Sequence, residues 1–356
     1  MTQALSAPQQ SSAQGAGPFG APIQGDFTRR DILSLDQFAP ADLSVLFELA
    51  DKMKQLVQGH QASSMLSGYL VSLLFFEPSS RTFASFASAV KRLGGQTLEN
   101  QIPVPSAAAE WPFEDLICTY AADADALVLR HPVVGSARVA AETVDIPVVN
   151  AGDGNNEHPT QTLLDLYTIY ERFGRLDHLT CLLAGDPLNS RVIHSMLRGL
   201  SLYAENTVYL LSPQQLRLRR EDLAYWRARG VRIVEIDHEQ DIPAQCDLWY
   251  WTRIQKERFD SPQAYEAAMQ QGFVVTPELL NSRAGKDTIL MDPLPRVQTI
   301  DPAVDADERA VYFRSQIRNG LYIRMALLAL ILGRATHEAT EKPARAKRAR
   351  RRSGST

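Results

Sequence analysis

Short, continuous apolar runs alternate with segments of helical period along most of this sequence. Leu70 to Phe76 is one such run. Before it, Leu43, Leu46, Phe47, Ala50, Met53 and Val57 recur at helical spacing from Pro40; after it, Phe83, Phe86, Val90 and Leu93 do the same until Gly94-Gly95. Ala126 to Leu129 and Val148 to Val149 are further runs, followed by a helix that Pro159 opens and Gly174 ends. Thr180 to Ala184, Val208 to Leu211, Val231 to Ile236, Leu248 to Trp251 and Ile289 to Met291 then repeat the pattern, with a helix expected from about Pro213. A strand without apolar–polar alternation is covered on both faces, and parallel strands with crossover helices provide that cover. The expected fold is α/β: two lobes, each a parallel sheet covered by helices, joined by interdomain helices. A length of 356 residues fits two cores better than one.

The ends are written differently. Residues 1–26 are rich in Gln, Ser, Ala, Pro and Gly and read as a flexible extension, with the fold beginning near Asp31. Lys342, Arg345, Lys347, Arg348, Arg350, Arg351 and Arg352 make residues 337–356 an expected disordered basic tail. They mask an acidic body: the chain has 37 basic and 41 acidic residues, but without those seven cations the balance is 30 against 41. Such a body argues against a nucleic-acid ligand, because phosphate backbones demand a basic surface. The longest apolar stretch, Met325 to Leu332, is too short to span a bilayer, and no secretory leader pattern opens the chain, so no membrane partner is expected. Cys118, Cys181 and Cys246 are odd in number and lack metal-ligand spacing; they read as buried thiols in a reducing, cytoplasmic compartment.

Chemistry concentrates in three stretches. Phe76-Glu77-Pro78-Ser79-Ser80-Arg81-Thr82 lies where a strand turns into a helix. Unpaired N–H groups at the helix start, the hydroxyls of Ser79, Ser80 and Thr82 and the Arg81 guanidinium would together cradle an oxyanion. Taken alone, the stretch fits equally a helix capped by Ser79 or Ser80 beside a solvated Arg81. The second stretch, Leu129-Arg130-His131-Pro132, ends a strand, and the third, Asn150 to Gln161, precedes and opens a helix. Ligands of open α/β sheets lie beyond the carboxyl ends of the strands, where the three would converge. Arg130 offers a charge-assisted donor, and His158 and Gln161 offer neutral groups suited to polarising a carbonyl. Asp153 and Glu157 flank His158 without ligand-pair spacing, so no metal is expected.

These stretches resemble the aspartate and ornithine carbamoyltransferase family over roughly residues 30 to 334, the aspartate-specific branch most closely. The likeness extends to Gly185-Asp186 with Ser190-Arg191-Val192-Ile193-His194-Ser195, and to Thr252-Arg253-Ile254-Gln255-Lys256-Glu257-Arg258. Pro293-Leu294-Pro295-Arg296 and Asn319 to Leu328 complete it, whereas Gly185 to Arg191 lacks the GxGxxG spacing of a dinucleotide site. The resemblance implies a carbamoyl-phosphate-binding domain at 27–157, an aspartate-binding domain at 158–312 and a C-terminal helix at 313–336 packing back on the first. It implies carbamoyl transfer from carbamoyl phosphate to L-aspartate in pyrimidine biosynthesis. Ser79, Arg81 and Thr82 would hold the phosphate, and Arg130, His158 and Gln161 its phosphate or carbonyl oxygens, with Leu294 and Pro295 alongside. Arg191, Arg253 and Gln255 would hold the two carboxylates, which guanidinium forks match in geometry. Arg81, Thr82, Arg130 and His158 would carry catalysis by orienting substrates and stabilising the developing oxyanion, with no covalent nucleophile and no metal or organic cofactor. The implied assembly is a homotrimer, open to joining a larger one with another pyrimidine-pathway subunit.

The sequence departs from that family in one loop. Family members close their site with a segment from a neighbouring subunit that carries a lysine onto the phosphate. Here the matching stretch, Gln101 to Phe113, puts Ala109 where the lysine belongs, and no Lys or Arg occurs between Arg92 and Arg130. Glu99, Glu110 and Glu114 make the segment acidic, and Trp111-Pro112 reads as a stiffened loop packing on its own subunit rather than a pocket for another substrate. Asp292 stands where the family usually has histidine, and Ala87 where a glutamate commonly follows Ser85-Phe86; both are expected to affect packing near the site. A weakly active or inactive relative, and a transferase with another amine acceptor, are the alternatives.

Overall fold

The computed structural model describes residues 20–101, 112–256, 259, 261–270 and 272–335. The expectations for Ala109, Glu110, Trp111 and the basic tail lie outside the described residues, as does most of the N-terminal extension. The first lobe starts with α1 (Pro40–Gln58) and holds β1 (Leu70–Phe75), β2 (Gln96–Gln101), β3 (Ala126–His131) and β4 (Val148–Asp153). All four strands are parallel, in the order β2-β1-β3-β4. Their crossovers are α2 (Ser80–Arg92), α3 (Phe113–Ala121) and α4 (Ser136–Thr143). Helix α5 (Pro159–Phe173) leads to the second lobe; Pro159 stands in its first turn and Gly174 closes it at φ 67°.

The second lobe holds β5 (Thr180–Ala184), β6 (Thr207–Leu211), β7 (Arg232–Ile236), β8 (Leu248–Trp251) and β9 (Ile289–Met291), all parallel in the order β7-β6-β5-β8-β9. Helices α6 (Arg191–Leu200), α7 (Arg220–Ala228), α8 (Pro262–Gln270) and α9 (Pro277–Arg283) accompany them. Finally α10 (Ile317–Ile331) returns to the first lobe and packs on α1, α2 and α5. The burial of β1 from Val71 onward and of all of β8 explains their largely apolar character, and the expected α/β architecture holds. No described helix is long and apolar enough to cross a membrane.

Both strand orders reverse once. In the first sheet the chain moves outward from β1 to β2 and resumes on the other side at β3; in the second it moves from β5 to β6 and β7 and resumes at β8. The crevices beyond the carboxyl ends of β1/β3 and β5/β8 are therefore the two places where such sheets accept ligands.

Three details differ from the sequence expectations. Ile23 and Phe27 are buried and the Ile23 N–H donates to the Gln37 carbonyl at 2.9 Å, so packing begins before Asp31. Single apolar side chains inserted from irregular backbone leave no periodic signal. Pro213 precedes only a 3₁₀ turn, Gln214–Leu216, and α7 starts at Arg220. Cys118 is exposed, because α3 buries Leu116, Ile117 and Ala121 and turns Cys118 outward; Cys181 and Cys246 are buried, and burial pushes the Cys246 thiol up to about 12. Strand β2, written Gln-Thr-Leu-Glu-Asn-Gln, lies at a sheet edge and so lacks the apolar run that marks its neighbours.

Candidate active site

A cavity of about 830 Å³ lies where the two crevices meet. Its wall contains all eleven residues singled out from the sequence: Ser79, Arg81, Thr82, Arg130, His158, Gln161, Arg191, Arg253, Gln255, Leu294 and Pro295. The Phe76 N–H donates to the Arg130 carbonyl at 2.8 Å, which ties the end of β1 to β3 and sets the start of α2 beside Arg130. Ser79 is the N-cap residue of α2, yet its side chain makes no capping hydrogen bond. The Arg81 Nη2 donates to the Leu294 carbonyl at 2.5 Å and so links α2 to the turn after β9.

Glu77 gathers cations from both lobes. Its Oε2 lies 3.1 Å from Arg130 Nη2 and 3.9 Å from Arg191 Nη1. Arg130 Nη1 also donates to the Ala151 carbonyl at 3.3 Å, and Arg191 Nη1 to the Gly154 carbonyl. Burial, reinforced by Arg191 and opposed by Glu77, brings the Arg130 guanidinium down to about 10. Burial and the nearby charges of Arg191, Arg130 and Arg324 hold His158 far below its ordinary value, so its imidazole is neutral at physiological pH. A neutral ring can share a hydrogen bond with a carbonyl while the guanidiniums supply the positive potential, a combination that suits an anion with a polarisable C=O.

Two glycines make this packing possible. Gly152, at φ 121°, would place an added Cβ 3.1 Å from Arg130 Nη1 and 3.4 Å from Arg191 Cζ. Gly185, at φ 122°, would place one 2.1 Å from the Thr252 carbonyl oxygen, immediately before Arg253. Across the same junction the Gln255 N–H donates to Asp186 Oδ2 at 3.3 Å and its Nε2 to the Asn189 carbonyl at 3.2 Å, so the ends of β5 and β8 are held as one unit. Gly185→Ala is expected to lower stability by about 2–3 kcal/mol through backbone strain and to raise the KM for the second substrate severalfold. Thermal melting and initial rates check this; an unchanged KM would show that Arg253 does not depend on the close approach.

The profile "Aspartate/ornithine carbamoyltransferase, carbamoyl-P binding domain" matches residues 30–171, and "Aspartate/ornithine carbamoyltransferase, Asp/Orn binding domain" matches residues 177–331. The chain belongs to the aspartate/ornithine carbamoyltransferase family. It is 43% identical over 309 residues to the chloroplastic aspartate carbamoyltransferase of Arabidopsis thaliana, covering 86% of this chain and 78% of that protein. It is 42% identical over 307 residues to the aspartate carbamoyltransferase catalytic subunit of Hyperthermus butylicus, covering 86% and 96%. A crystal structure of Trypanosoma cruzi aspartate transcarbamoylase in complex with carbamoyl phosphate and aspartate superposes with a TM-score of 0.80 at 35% identity, covering 87% of this chain and 99% of that one.

Within this carbamoyltransferase fold, four side chains not singled out as binding residues also line or support the cavity. Glu77 is the first. Asp165, 1% exposed, accepts hydrogen bonds from Gln161 Nε2 (3.1 Å), the Tyr250 hydroxyl (2.7 Å) and Gln316 Nε2 (2.7 Å), and burial pushes its carboxyl up to about 7. Arg324 donates to Ser85 Oγ at 3.0 Å and lies 5.1 Å from the Phe86 ring centroid. Asp292, expected to matter only for packing, is on the cavity wall; Ala87 is in the first lobe's core. Two signals were available: Asp165 follows Gln161 by four residues on one helix face, and Arg324 interrupts the apolar run from Leu321 to Leu332.

Proposed function

We propose that this chain transfers the carbamoyl group of carbamoyl phosphate to the amine of L-aspartate, giving N-carbamoyl-L-aspartate and phosphate in pyrimidine biosynthesis. One observation carries the reading: a single cavity joins Arg81 and Arg130 from one sheet's switch point to Arg191 and Arg253 from the other's. Two anionic substrates need two cationic sites that share a boundary, and orientation across that boundary supplies much of the rate. Ser79, Arg81 and Thr82 hold the phosphate; Arg130, His158 and Gln161 polarise the carbamoyl carbonyl; Arg191, Arg253 and Gln255 hold the carboxylates. The amine attacks the carbamoyl carbon, and the tetrahedral intermediate expels phosphate while the same donors stabilise its oxyanion. Ornithine ends in a cation, which Arg191 and Arg253 would repel, so aspartate is the acceptor.

Purified protein given carbamoyl phosphate and L-aspartate is expected to form carbamoyl aspartate; turnover of ornithine but not aspartate would refute the assignment. Inorganic phosphate at a hundred times its dissociation constant is expected to stabilise the protein by about 2.7 kcal/mol, and Arg81→Ala to abolish the rise in Tm. A homotrimer, closing each site with a neighbour's loop, accords with the family resemblance and is checked by sedimentation. A cytoplasmic location accords with the buried thiols of Cys181 and Cys246, although plant relatives are named as chloroplastic.

A further inference from the structure

Asp292 follows β9 directly, and its carboxyl is only half used. Oδ1 accepts the Leu294 N–H at 2.5 Å, and the Asp292 N–H donates to Gln316 Oε1 at 3.1 Å. Oδ2 is buried with no hydrogen-bond partner among the described residues, in a side chain that is 2% exposed and lines the cavity. An unpaired buried carboxylate oxygen is costly, and one kept at the wall of a ligand cavity marks where a donor arrives with the ligand. The phosphate and the carboxylates are anions with arginines to receive them. The one cationic donor among the two substrates is the ammonium of the amino acid. Arg81, which donates to the Leu294 carbonyl two residues after Asp292, lines the same cavity as Asp292 and Arg253 and feels the charge of both.

We propose that Asp292 is the proton acceptor that converts the substrate's ammonium into the attacking amine. The inference rests on the carbamoyl-transfer reading. One ammonium N–H bond breaks and an Oδ2–H bond forms, which leaves the nitrogen lone pair to make the C–N bond. As the C–O bond to phosphate breaks, the second proton of that nitrogen passes to a phosphate oxygen, giving hydrogen phosphate, and the proton on Asp292 returns to solvent after the products leave. The groups that set its charge are Arg81 from α2, Asp165 from α5, Tyr250 from β8, Gln316 before α10 and Arg296 in its own loop. Burial, reinforced by Asp165 and opposed by Arg81 and Arg296, moves the carboxyl up to about 7, the range a base working at neutral pH needs.

Asp292→Asn keeps the acceptor for the Leu294 N–H and removes the base. It is expected to lower kcat at least about tenfold at neutral pH, with the KM for carbamoyl phosphate and the phosphate-induced rise in Tm unchanged. The unmodified protein's kcat should level off above pH about 7, whereas the variant's should continue to climb as solvent takes over the proton. Wild-type kcat with an unchanged pH profile in Asp292→Asn would overturn the proposal, as would a loss accompanied by a raised KM for carbamoyl phosphate, which would assign Asp292 to holding Arg81. If Asp292→Asn does not fold, Asp292→His retains a titratable base: kcat within tenfold of the unmodified protein and a retained plateau support the proposal, and a loss beyond a hundredfold overturns it. An unmodified protein that makes no carbamoyl aspartate refutes the functional reading itself and this proposal with it, an outcome distinct from an active protein indifferent to Asp292→Asn.

Discussion

Turnover with carbamoyl phosphate and L-aspartate is expected to lie about a hundredfold or more below that of a relative with lysine in its closing loop, while affinity for carbamoyl phosphate changes little. No Lys or Arg occurs between Arg92 and Arg130, so the cation that a neighbouring subunit would lay on the departing phosphate has no counterpart in that stretch. Arg81 and Arg130 are on the cavity wall and, in the function proposed above, hold the ground state. A charge-assisted contact realised mainly in the transition state is worth about 3 kcal/mol, so its loss falls on kcat rather than on KM. Steady-state kinetics beside a lysine-bearing relative test this, with Ala109→Lys expected to recover part of the rate. Comparable turnover in the two proteins would show that another cation serves; Arg318, exposed on the cavity wall, is then the residue to remove.

Arg198→Ala is expected to destabilise the fold by about 3–5 kcal/mol, and more at pH 8 than at pH 5. Arg198, on α6, pairs with Asp36 from the segment before α1, and its Nε lies 3.6 Å from Glu157 Oε1. Glu157, 1% exposed, also accepts from Ser34 Oγ at 2.7 Å and from the Leu35 N–H at 3.2 Å, whereas Asp36 keeps a second cation, Arg229 at 2.8 Å. Removing Arg198 strands a buried carboxylate, a larger loss than deleting a whole ion pair. Burial already raises the Glu157 pKa and Arg198 opposes that rise, so the variant's carboxyl moves higher still. As pH falls through that raised value the carboxyl escapes the penalty by taking up a proton, and as pH rises through it the penalty returns. Thermal melting at both pH values checks the sign; an equal loss at each would mean that Arg198 acts through packing alone.

What could be read beforehand, and what could not, follows from how local each signal is. The run from Leu70 and the span from Pro159 to Gly174 carry their own start, period and stop, so β1 and α5 were legible. The cradle motifs were legible because strand-to-helix turns put Ser79, Arg81 and Thr82 at one end of a sheet whatever the lobes do. Asp165 and Arg324 were legible only as charges in largely apolar helical stretches, because a charged residue within a helix is ordinarily solvated and becomes a buried support only when other elements close over it. Asp292 was visible as an unusual residue, but its unpaired oxygen exists only once Leu294 and Gln316 have taken the carboxyl's other face and the backbone N–H. Ile23 belongs with these: it is buried where its N–H meets the carbonyl of Gln37, a partner too distant in sequence to leave a local signal.

Helix α10 comes from the far end of the described chain, yet it packs on α1 and α2, and its Met325 and Leu328 share one buried core with Leu46 and Met53 of α1 and Phe86 and Val90 of α2. On a ribosome, the lobe begun first is therefore completed last. All five strands of the second sheet have left the exit tunnel before the first lobe receives the helix that closes its apolar flank. Until then that flank is a surface for chaperones to hold and for other nascent chains to stick to, so a truncation between Met291 and Ile317 leaves one sheet with all its strands attached to one unfinished core.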